Sequence, residues 1–263
     1  MGSTGTVLRE LRGAQKSAKG VSLYSRYVNR PAGRVLAAGA YRAGLTPNHV
    51  TLVSAAFTYA ALAAVALVEP SWTLGLAVYA ALAVGFAFDS ADGQLARLTG
   101  RGGPDGEWLD HVVDCGKLLL VHAAVLISFY RFGELPSDAW LLLPLGFQLA
   151  AVVTFCAGLL REQLGKAAAT ALAATALAAT ALAATAQASA APADPGTPPA
   201  PVSRVRAVAL LPADYGVFCL VFLLLGAPGA FRAGYAVLAV VHTLFLAAFL
   251  TKWFRELRAL RPG

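Results

Sequence analysis

Long runs of apolar residues, separated by short polar segments, dominate this sequence. Six of the runs approach the ~20 residues that a helix needs to cross the hydrocarbon core of a bilayer. They cover approximately residues 50–68, 74–97, 109–130, 139–160, 205–225 and 231–253. An α-helix satisfies all of its backbone hydrogen bonds within the segment, which lipid requires. We therefore predict an all-α integral membrane protein with six transmembrane helices.

The composition excludes an ordinary soluble protein. Apolar residues make up 58% of the 263 residues, and charged residues make up only 13%, about half the usual share. The net charge is +7, but the basic residues lie between and beside the apolar runs. We therefore expect them to contact anionic lipid headgroups and to set the topology, and we expect no nucleic-acid partner.

The distribution of Lys and Arg predicts the orientation. If the N-terminus is inside, 18 of the 21 basic residues fall in cytoplasmic segments. The outside loops then hold only Arg131 and Arg232, and Lys117 lies within the third helix. Because cytoplasmic loops carry an excess of Lys and Arg, we expect both termini in the cytoplasm and a multi-pass protein of the cell (inner or plasma) membrane.

Two segments precede the predicted transmembrane domain. Residues 1–20 form a basic leader. In residues 21–46, apolar side chains alternate with Arg26, Arg30 and Arg34. This pattern predicts a juxtamembrane amphipathic helix on the inner membrane surface, interrupted near Pro31. A plain basic leader that only sets the topology is the alternative.

The transmembrane domain itself comprises residues 47–164 and 203–256, with an insert between its two parts. Residues 165–202 contain a Thr-Ala-Leu-Ala-Ala repeat followed by a Pro-rich linker. Alanine and threonine are only weakly suited to lipid. We therefore expect the insert to be cytoplasmic, either helical or disordered, rather than a seventh span.

Four aspartates follow the spacing of helix faces. Asp89 and Asp92 are three residues apart, and Asp110 and Asp114 are four apart, so each pair shares one face of a helix. The segment between the pairs, residues 98–105, contains three glycines and a proline, which allow the chain to turn back. The sequence therefore predicts four carboxylates facing one another from two helices.

Carboxylates near a membrane interface are unfavourable unless they are neutralised. Divalent cations with oxygen ligands do this well, and two ions that share carboxylates do it best. The small residues Gly93 and Ala96 leave room for a bulky ligand, and Mg²⁺ often completes its shell with phosphate oxygens. The pattern predicts a metal-dependent site for phosphate chemistry at the cytoplasmic ends of helices two and three. A solvated acidic loop is the alternative.

The same residues resemble a family signature. The pattern Asp-x2-Asp-Gly-x2-Ala-Arg-x8-Gly-x3-Asp-x3-Asp is that of the CDP-alcohol phosphotransferases. All eight of its positions are matched here, by Asp89, Asp92, Gly93, Ala96, Arg97, Gly106, Asp110 and Asp114. The run from Gly44 to Thr51 is similar to the family's entry to its first helix. The resemblance implies transfer of a phosphoryl-alcohol group from a CDP-alcohol to an acceptor hydroxyl, with release of CMP.

The resemblance also implies roles for the aspartates. Asp89, Asp92 and Asp110 would bind Mg²⁺ or Mn²⁺, as two ions. Asp114 would join the second ion or act as the general base that deprotonates the acceptor. The expected nucleotide contacts are Asn48, Thr51, Gly93, Ala96, Arg97 and Gly106.

The acceptor site is predicted with alternatives left open. Arg161, Arg204 and Arg206 would bind a phosphorylated acceptor or simply anchor the chain at the inner membrane surface. Lys117, one turn beyond Asp114, would balance the acidic residues or touch the substrate. Asp214 would line the acceptor pocket or pair with Arg204 or Arg206.

Two other classes of protein fit the sequence less well. A membrane cation transporter would spread its acidic residues through the depth of the bilayer, whereas these acids cluster at one end. A non-catalytic membrane scaffold would be favoured by the loss of a motif aspartate, and all four are present. The expected partners are the CDP-alcohol donor, the alcohol acceptor, membrane lipids and a second copy of the chain as a homodimer.

Overall fold

A computed structural model describes residues 4–13, 22–186, 208, 211 and 214–260, and every regular element in these ranges is helical. In chain order the elements are α1 (Thr4–Gly13), a π-helical turn (Ser25–Asn29), α2 (Arg30–Arg42), α3 (Pro47–Leu67), α4 (Trp72–Thr99), α5 (Pro104–Phe132), a 3-10 turn (Asp138–Leu141), α6 (Leu142–Ala186), α7 (Tyr215–Cys219), a second 3-10 turn (Leu220–Leu224) and α8 (Pro228–Arg258).

Five helical segments in the described part are long and apolar enough to cross a membrane. They are α3, α4, α5, the segment Asp138–Leu177 and α8. Large apolar side chains such as Leu76 and Leu244 are more than 60% exposed on these helices, as expected for surfaces that face lipid. The prediction of an all-helical, multi-pass membrane protein is confirmed.

The sixth predicted span, residues 205–225, falls partly outside the described residues. Its described residues include the apolar helical segment Tyr215–Leu224, which is shorter than a span. The Pro-rich linker and most of the residues between α1 and the π-helical turn also lie outside the described ranges. Helix α6 continues without a break into the Thr-Ala-Leu-Ala-Ala repeat and ends at Ala186.

The ends of the helices follow from local sequence. Thr46 caps α3: its hydroxyl accepts a hydrogen bond from the backbone N–H of His49 at 3.3 Å, and its own N–H donates to Nδ1 of His49. Pro47 then occupies the first helical position, where no N–H is needed. Helix α4 ends at Gly100, whose φ of 64° is left-handed and favours glycine. Pro104 starts α5 soon after, so the chain reverses direction at residues 100–103.

Helices α3 and α4 pack closely because small residues face each other. Ser54 donates a hydrogen bond from its hydroxyl to the carbonyl of Gly85 at 2.8 Å. A Cβ atom at Gly85 would lie 2.5 Å from the hydroxyl oxygen of Thr58. Small residues of this kind let transmembrane helices approach one another and form hydrogen bonds between them. Helix α4 also packs against α2. Because α3 packs against both α4 and α5, the two helices that carry the four aspartates share α3 as a neighbour.

The chain divides into two compact units. The first comprises Met1–Val152 and Val202–Phe245, and its apolar core includes an aromatic cluster. In that cluster, the hydroxyl of Tyr235 lies 2.6 Å from Nδ1 of His122, and both residues pack against Phe147.

The second unit comprises Val153–Pro201 and Leu246–Gly263. Here Arg161 forms an ion pair with Glu256 at 2.7 Å, and Lys252 lies 3.5 Å from the same carboxylate. The ring of Trp253 covers Gly158, where a Cβ atom would meet it at 3.2 Å.

Candidate active site

Three aspartates from two helices meet in the first unit. Asp89 lies on α4, and Asp110 and Asp114 lie one turn apart on α5. One carboxylate oxygen from each lies within 4.8 Å of the other two, and all three residues are half-buried. We refer to these three residues as the three-aspartate cluster. The reversal of the chain at residues 100–103 brings these three together, whereas the spacing predicted that Asp92 would face them as well.

Asp92, the fourth predicted ligand, is arranged differently. It is buried, and it is not among the residues whose carboxylate oxygens lie within 4.8 Å of one another. Its carboxylate accepts hydrogen bonds from the hydroxyl of Thr51 at 2.6 Å and from the backbone N–H of Gly93 at 2.5 Å. Thr51, which was predicted as a nucleotide contact, lies on α3 and contacts the carboxylate of Asp92 on α4. The metal-binding role of Asp92 and the nucleotide-binding role of Thr51 stay predictions.

Lys117 pairs with two carboxylates of the three-aspartate cluster. Its side chain is only 7% exposed, and its ammonium group forms ion pairs with Asp89 and with Asp114, the latter at 3.0 Å. One cation therefore joins α4 to α5 through two carboxylates. This arrangement supports the first of its two predicted roles, that of balancing the acidic residues.

The predicted nucleotide contacts flank the carboxylates. A Cβ atom at Gly93 would lie 3.3 Å from the guanidinium of Arg97, and Arg97 is exposed and within electrostatic range of Asp92. A Cβ atom at Gly106 would lie 3.3 Å from the side-chain oxygen of Asn48. Side chains larger than glycine would thus crowd both polar groups.

Ala96, the remaining predicted nucleotide contact, lies in the last turn of α4. A Cβ atom at Gly102 would come within 4.0 Å of its methyl group. The side chain is half-buried, so the turn between α4 and α5 packs against it.

Asp214 is a structural anchor as well as a predicted acceptor contact. It caps α7 by accepting a hydrogen bond from the backbone N–H of Gly216 at 2.8 Å. The same side chain accepts hydrogen bonds from the hydroxyls of Ser22 and Ser25, the latter at 2.5 Å. Asp214 therefore joins Ser22 and the first residue of the π-helical turn to the start of α7.

The three arginines predicted for the acceptor are placed unequally. Arg204 and Arg206 lie outside the described residues, so their predicted pairing with Asp214 stays a prediction. Arg161 is exposed and pairs with Glu256 in the second unit. Its role in acceptor binding also stays a prediction.

Sequence reasoning did not single out Tyr59. Its hydroxyl donates a hydrogen bond from α3 to the backbone carbonyl of Val113 at 3.1 Å, one residue before Asp114. The sequence signal for this contact is a glycine, Gly116. A Cβ atom at that position would lie 2.5 Å from the Tyr59 oxygen, so a larger residue would displace the tyrosine. Tyr59 thus helps to fix the turn of α5 that carries Asp114.

The donor set of the three-aspartate cluster fits a divalent metal. Carboxylate oxygens are the ligands that Mg²⁺ and related hard cations prefer, and the three within 4.8 Å come from two separate helices. With its carboxylates ionised, the cluster carries three negative charges, and Lys117 pairs with two of the three carboxylates. A bound divalent cation would relieve the repulsion between these charges.

The comparison with protein families agrees with this geometry. The family model for CDP-alcohol phosphatidyltransferase matches residues 44–254, which include all four aspartates and most of the chain. No curated protein matches the sequence. The match covers α3 to α8, where the three-aspartate cluster and its flanking residues lie. The chain belongs to the CDP-alcohol phosphatidyltransferase family, whose members transfer a phosphoalcohol group from a CDP-alcohol.

Proposed function

We propose that this membrane transferase moves a phosphatidyl or polyol-phosphate group from a CDP-alcohol to an acceptor hydroxyl and releases CMP. The reaction depends on Mg²⁺ and serves the biosynthesis of phospholipids or of inositol-phosphate-type lipids. The observation that carries the proposal is the convergence of Asp89, Asp110 and Asp114 within 4.8 Å, in a chain of this family.

The proposed metal ligands are the four motif aspartates. Asp89, Asp110 and Asp114 each offer an oxygen within 4.8 Å of the others, and the carboxylate of Asp92 is oriented by its hydrogen bond from Thr51. Two ions of Mg²⁺ or Mn²⁺ would neutralise the diphosphate of the donor and stabilise the charge on the departing CMP. Because Lys117 pairs with two of these carboxylates, it stabilises their close approach when metal is absent.

Asp114 is the proposed general base. The acceptor oxygen forms a bond to phosphorus, its proton passes to the Asp114 carboxylate, and the bond to CMP breaks with its electron pair going to CMP. Two contacts support this role. Lys117 holds one oxygen of Asp114 at 3.0 Å, and Tyr59 fixes the backbone at the preceding residue. A base held in this way has a defined orientation towards the attacking hydroxyl.

The remaining contacts divide between donor and acceptor. We assign the nucleotide of the donor to Asn48, Thr51, Gly93, Ala96, Arg97 and Gly106. We assign the acceptor to Lys117, Arg161, Arg204, Arg206 and Asp214. Two features support the donor assignment: small residues adjoin the carboxylates, and the guanidinium of Arg97 lies over Gly93, where it can pair with phosphate.

We place the enzyme in the cell membrane with its active site facing the cytoplasm and both termini inside. The strong bias of Lys and Arg towards one set of loops supports this orientation. The basic N-terminal segment and the exposed Tyr27 and Val35 support a juxtamembrane helix on the inner surface. We also propose that the enzyme forms a homodimer.

CMP release tests the proposed function. The full-length protein, purified and placed in lipid nanodiscs, would be mixed with Mg²⁺ and a panel of CDP-alcohols and acceptor alcohols. We expect CMP release with at least one pair of substrates, and its loss in Asp110→Asn. The matched control is Glu107→Gln, an exposed acid one turn earlier on α5, which should keep the activity. Absence of CMP release with every pair would overturn the proposal.

A further inference from the structure

Tyr215, the first residue of α7, carries a buried hydroxyl without a hydrogen-bond partner of normal geometry. Among the described residues, only this oxygen and Nε of Arg34 are buried side-chain polar atoms with no partner of normal geometry. The thiol of Cys219, one turn further along the chain, is near the hydroxyl, but a thiol is a weak hydrogen-bonding group. Because an unpaired buried hydroxyl is unfavourable, its retention calls for a partner that arrives later.

The ring of Tyr215 lies against α4, the helix that carries Asp89. The Tyr215 ring packs edge-on against Phe86 of α4, with 5.2 Å between the ring centroids. Phe86 precedes Asp89 by three residues and so shares its helix face. The hydroxyl is within electrostatic range of both Asp89 and Asp114. The charged groups that act on this hydroxyl therefore include those that we propose to bind metal and to accept the proton.

Several contacts hold the Tyr215 side chain in this orientation. Asp214 caps the helix at the preceding residue, and the ring of Phe218 packs at 6.2 Å. At the following residue, Gly216, any Cβ atom would overlap the ring of Tyr24. Tyr24 is a phenol and neutral at physiological pH, and burial, reinforced by Tyr79, raises its pKa further, to about 12. A phenol fixed among neutral rings is a preorganised hydrogen-bond donor.

We propose that the Tyr215 hydroxyl donates a hydrogen bond to a substrate oxygen held at Asp89 and Asp114. This inference rests on the proposed function. The oxygen belongs either to the phosphoryl group of the CDP-alcohol or to a hydroxyl of the acceptor. Both are hydrogen-bond acceptors that arrive only when substrate binds, which explains why the phenol has no partner of normal geometry in the protein alone.

The substitution Tyr215→Phe tests this inference, because it removes one oxygen and keeps the ring contacts. We expect its Tm to equal or exceed that of the wild type, since no protein hydrogen bond is lost. We expect kcat/KM to fall about 3- to 10-fold, the usual effect of losing one neutral hydrogen bond. An increase in KM for the CDP-alcohol would identify the phosphoryl oxygen, and an increase in KM for the acceptor would identify its hydroxyl.

Tyr235→Phe is the matched control. Its hydroxyl lies 2.6 Å from Nδ1 of His122 in the aromatic core, so this variant should lose about 2–4 °C in Tm and keep its kcat/KM. An unchanged kcat/KM for both substrates in Tyr215→Phe, or a fall in its Tm like that of the control, would overturn the inference. Failure of the wild type to release CMP would instead contradict the proposed function.

Discussion

The hydroxyl of Thr51 donates a hydrogen bond to the carboxylate of Asp92 at 2.6 Å, across an interval of 41 residues. Both side chains are buried. The bond joins the start of α3 to the acidic end of α4, so the entry to the first long helix and the aspartate motif form one structural unit. One predicted metal ligand is thereby oriented before any ligand binds.

Activity should require a divalent cation. The three-aspartate cluster carries more negative charge than Lys117 balances, and a bound cation removes the repulsion. We expect CMP release to disappear in excess chelator and to return when Mg²⁺ or Mn²⁺ is added in excess of it. Full CMP release in the presence of the chelator would contradict the metal mechanism.

Asp114→Asn should separate proton transfer from binding. Asparagine keeps an oxygen ligand and nearly the same volume but accepts no proton at neutral pH. We expect turnover to fall by ~10²–10⁴, the usual contribution of a positioned acid or base, while a CDP-alcohol still binds in the presence of metal. CMP-release rates and calorimetric titration with the CDP-alcohol measure the two quantities.

Asp89→Asn is the comparison for that variant. Asp89 lies on α4 and contributes to the three-aspartate cluster from the opposite helix. Loss of its charge should weaken metal and nucleotide binding together, which the same calorimetric titration detects. Equal loss of binding in Asp89→Asn and Asp114→Asn would mean that Asp114 is chiefly a ligand and that the base lies elsewhere.

Lys117→Met should destabilise the protein most strongly when metal is absent. Methionine keeps much of the apolar volume of the side chain, but Asp89 and Asp114 then face each other without their shared counter-charge. Removal of one partner from a buried ion pair costs about 3 kcal/mol. We expect a lower Tm in chelator and partial recovery with Mg²⁺, because ligands of the folded state stabilise it.

Lys166→Met is the matched control for Lys117→Met. Lys166 pairs with Glu162 at 2.9 Å on the helix surface, where its side chain is 53% exposed. Exposed pairs contribute about 0–1 kcal/mol, so this variant should melt close to the wild type. If metal-free Lys117→Met melts with the control, the structural role of Lys117 is wrong.

Gly85→Ala should disturb the packing of α3 against α4. The new methyl group would overlap the hydroxyl of Thr58 and would press on the segment that Ser54 joins to α4. Overpacking of this kind typically costs about 1–3 kcal/mol. Gly146→Ala is the control, because no atom lies within 4 Å of its new Cβ. Thermal unfolding should show a lower Tm for Gly85→Ala alone, and equal Tm values would contradict the close approach of the two helices.

The insert should be reached from the cytoplasmic side. A protease site placed in residues 190–201 of the Pro-rich linker should be cut in inside-out membrane vesicles and protected in right-side-out vesicles. The reason is the bias of Lys and Arg, which assigns this connection to the inner face. Cutting from the outer face alone would overturn the predicted orientation and the six-helix topology with it.

The sequence by itself determined the class of fold and the positions of the motif. Apolar runs of spanning length predict helices because lipid leaves the backbone no other partner within the segment. The intervals from Asp89 to Asp92 and from Asp110 to Asp114 determine which carboxylates share a helix face, because the α-helix has a fixed period. Glycine and proline between the pairs predicted the reversal that brings α4 and α5 together.

The tertiary structure decided what each helix face meets. Periodicity places Asp89 and Asp92 on one side of α4, yet Asp89 joins the three-aspartate cluster while Asp92 accepts a hydrogen bond from Thr51. The shared pairing of Lys117 and the unpartnered hydroxyl of Tyr215 also depend on how separate helices pack. Spacing along one helix carries no information on the distance to another, because that distance is set by the side chains that pack between them.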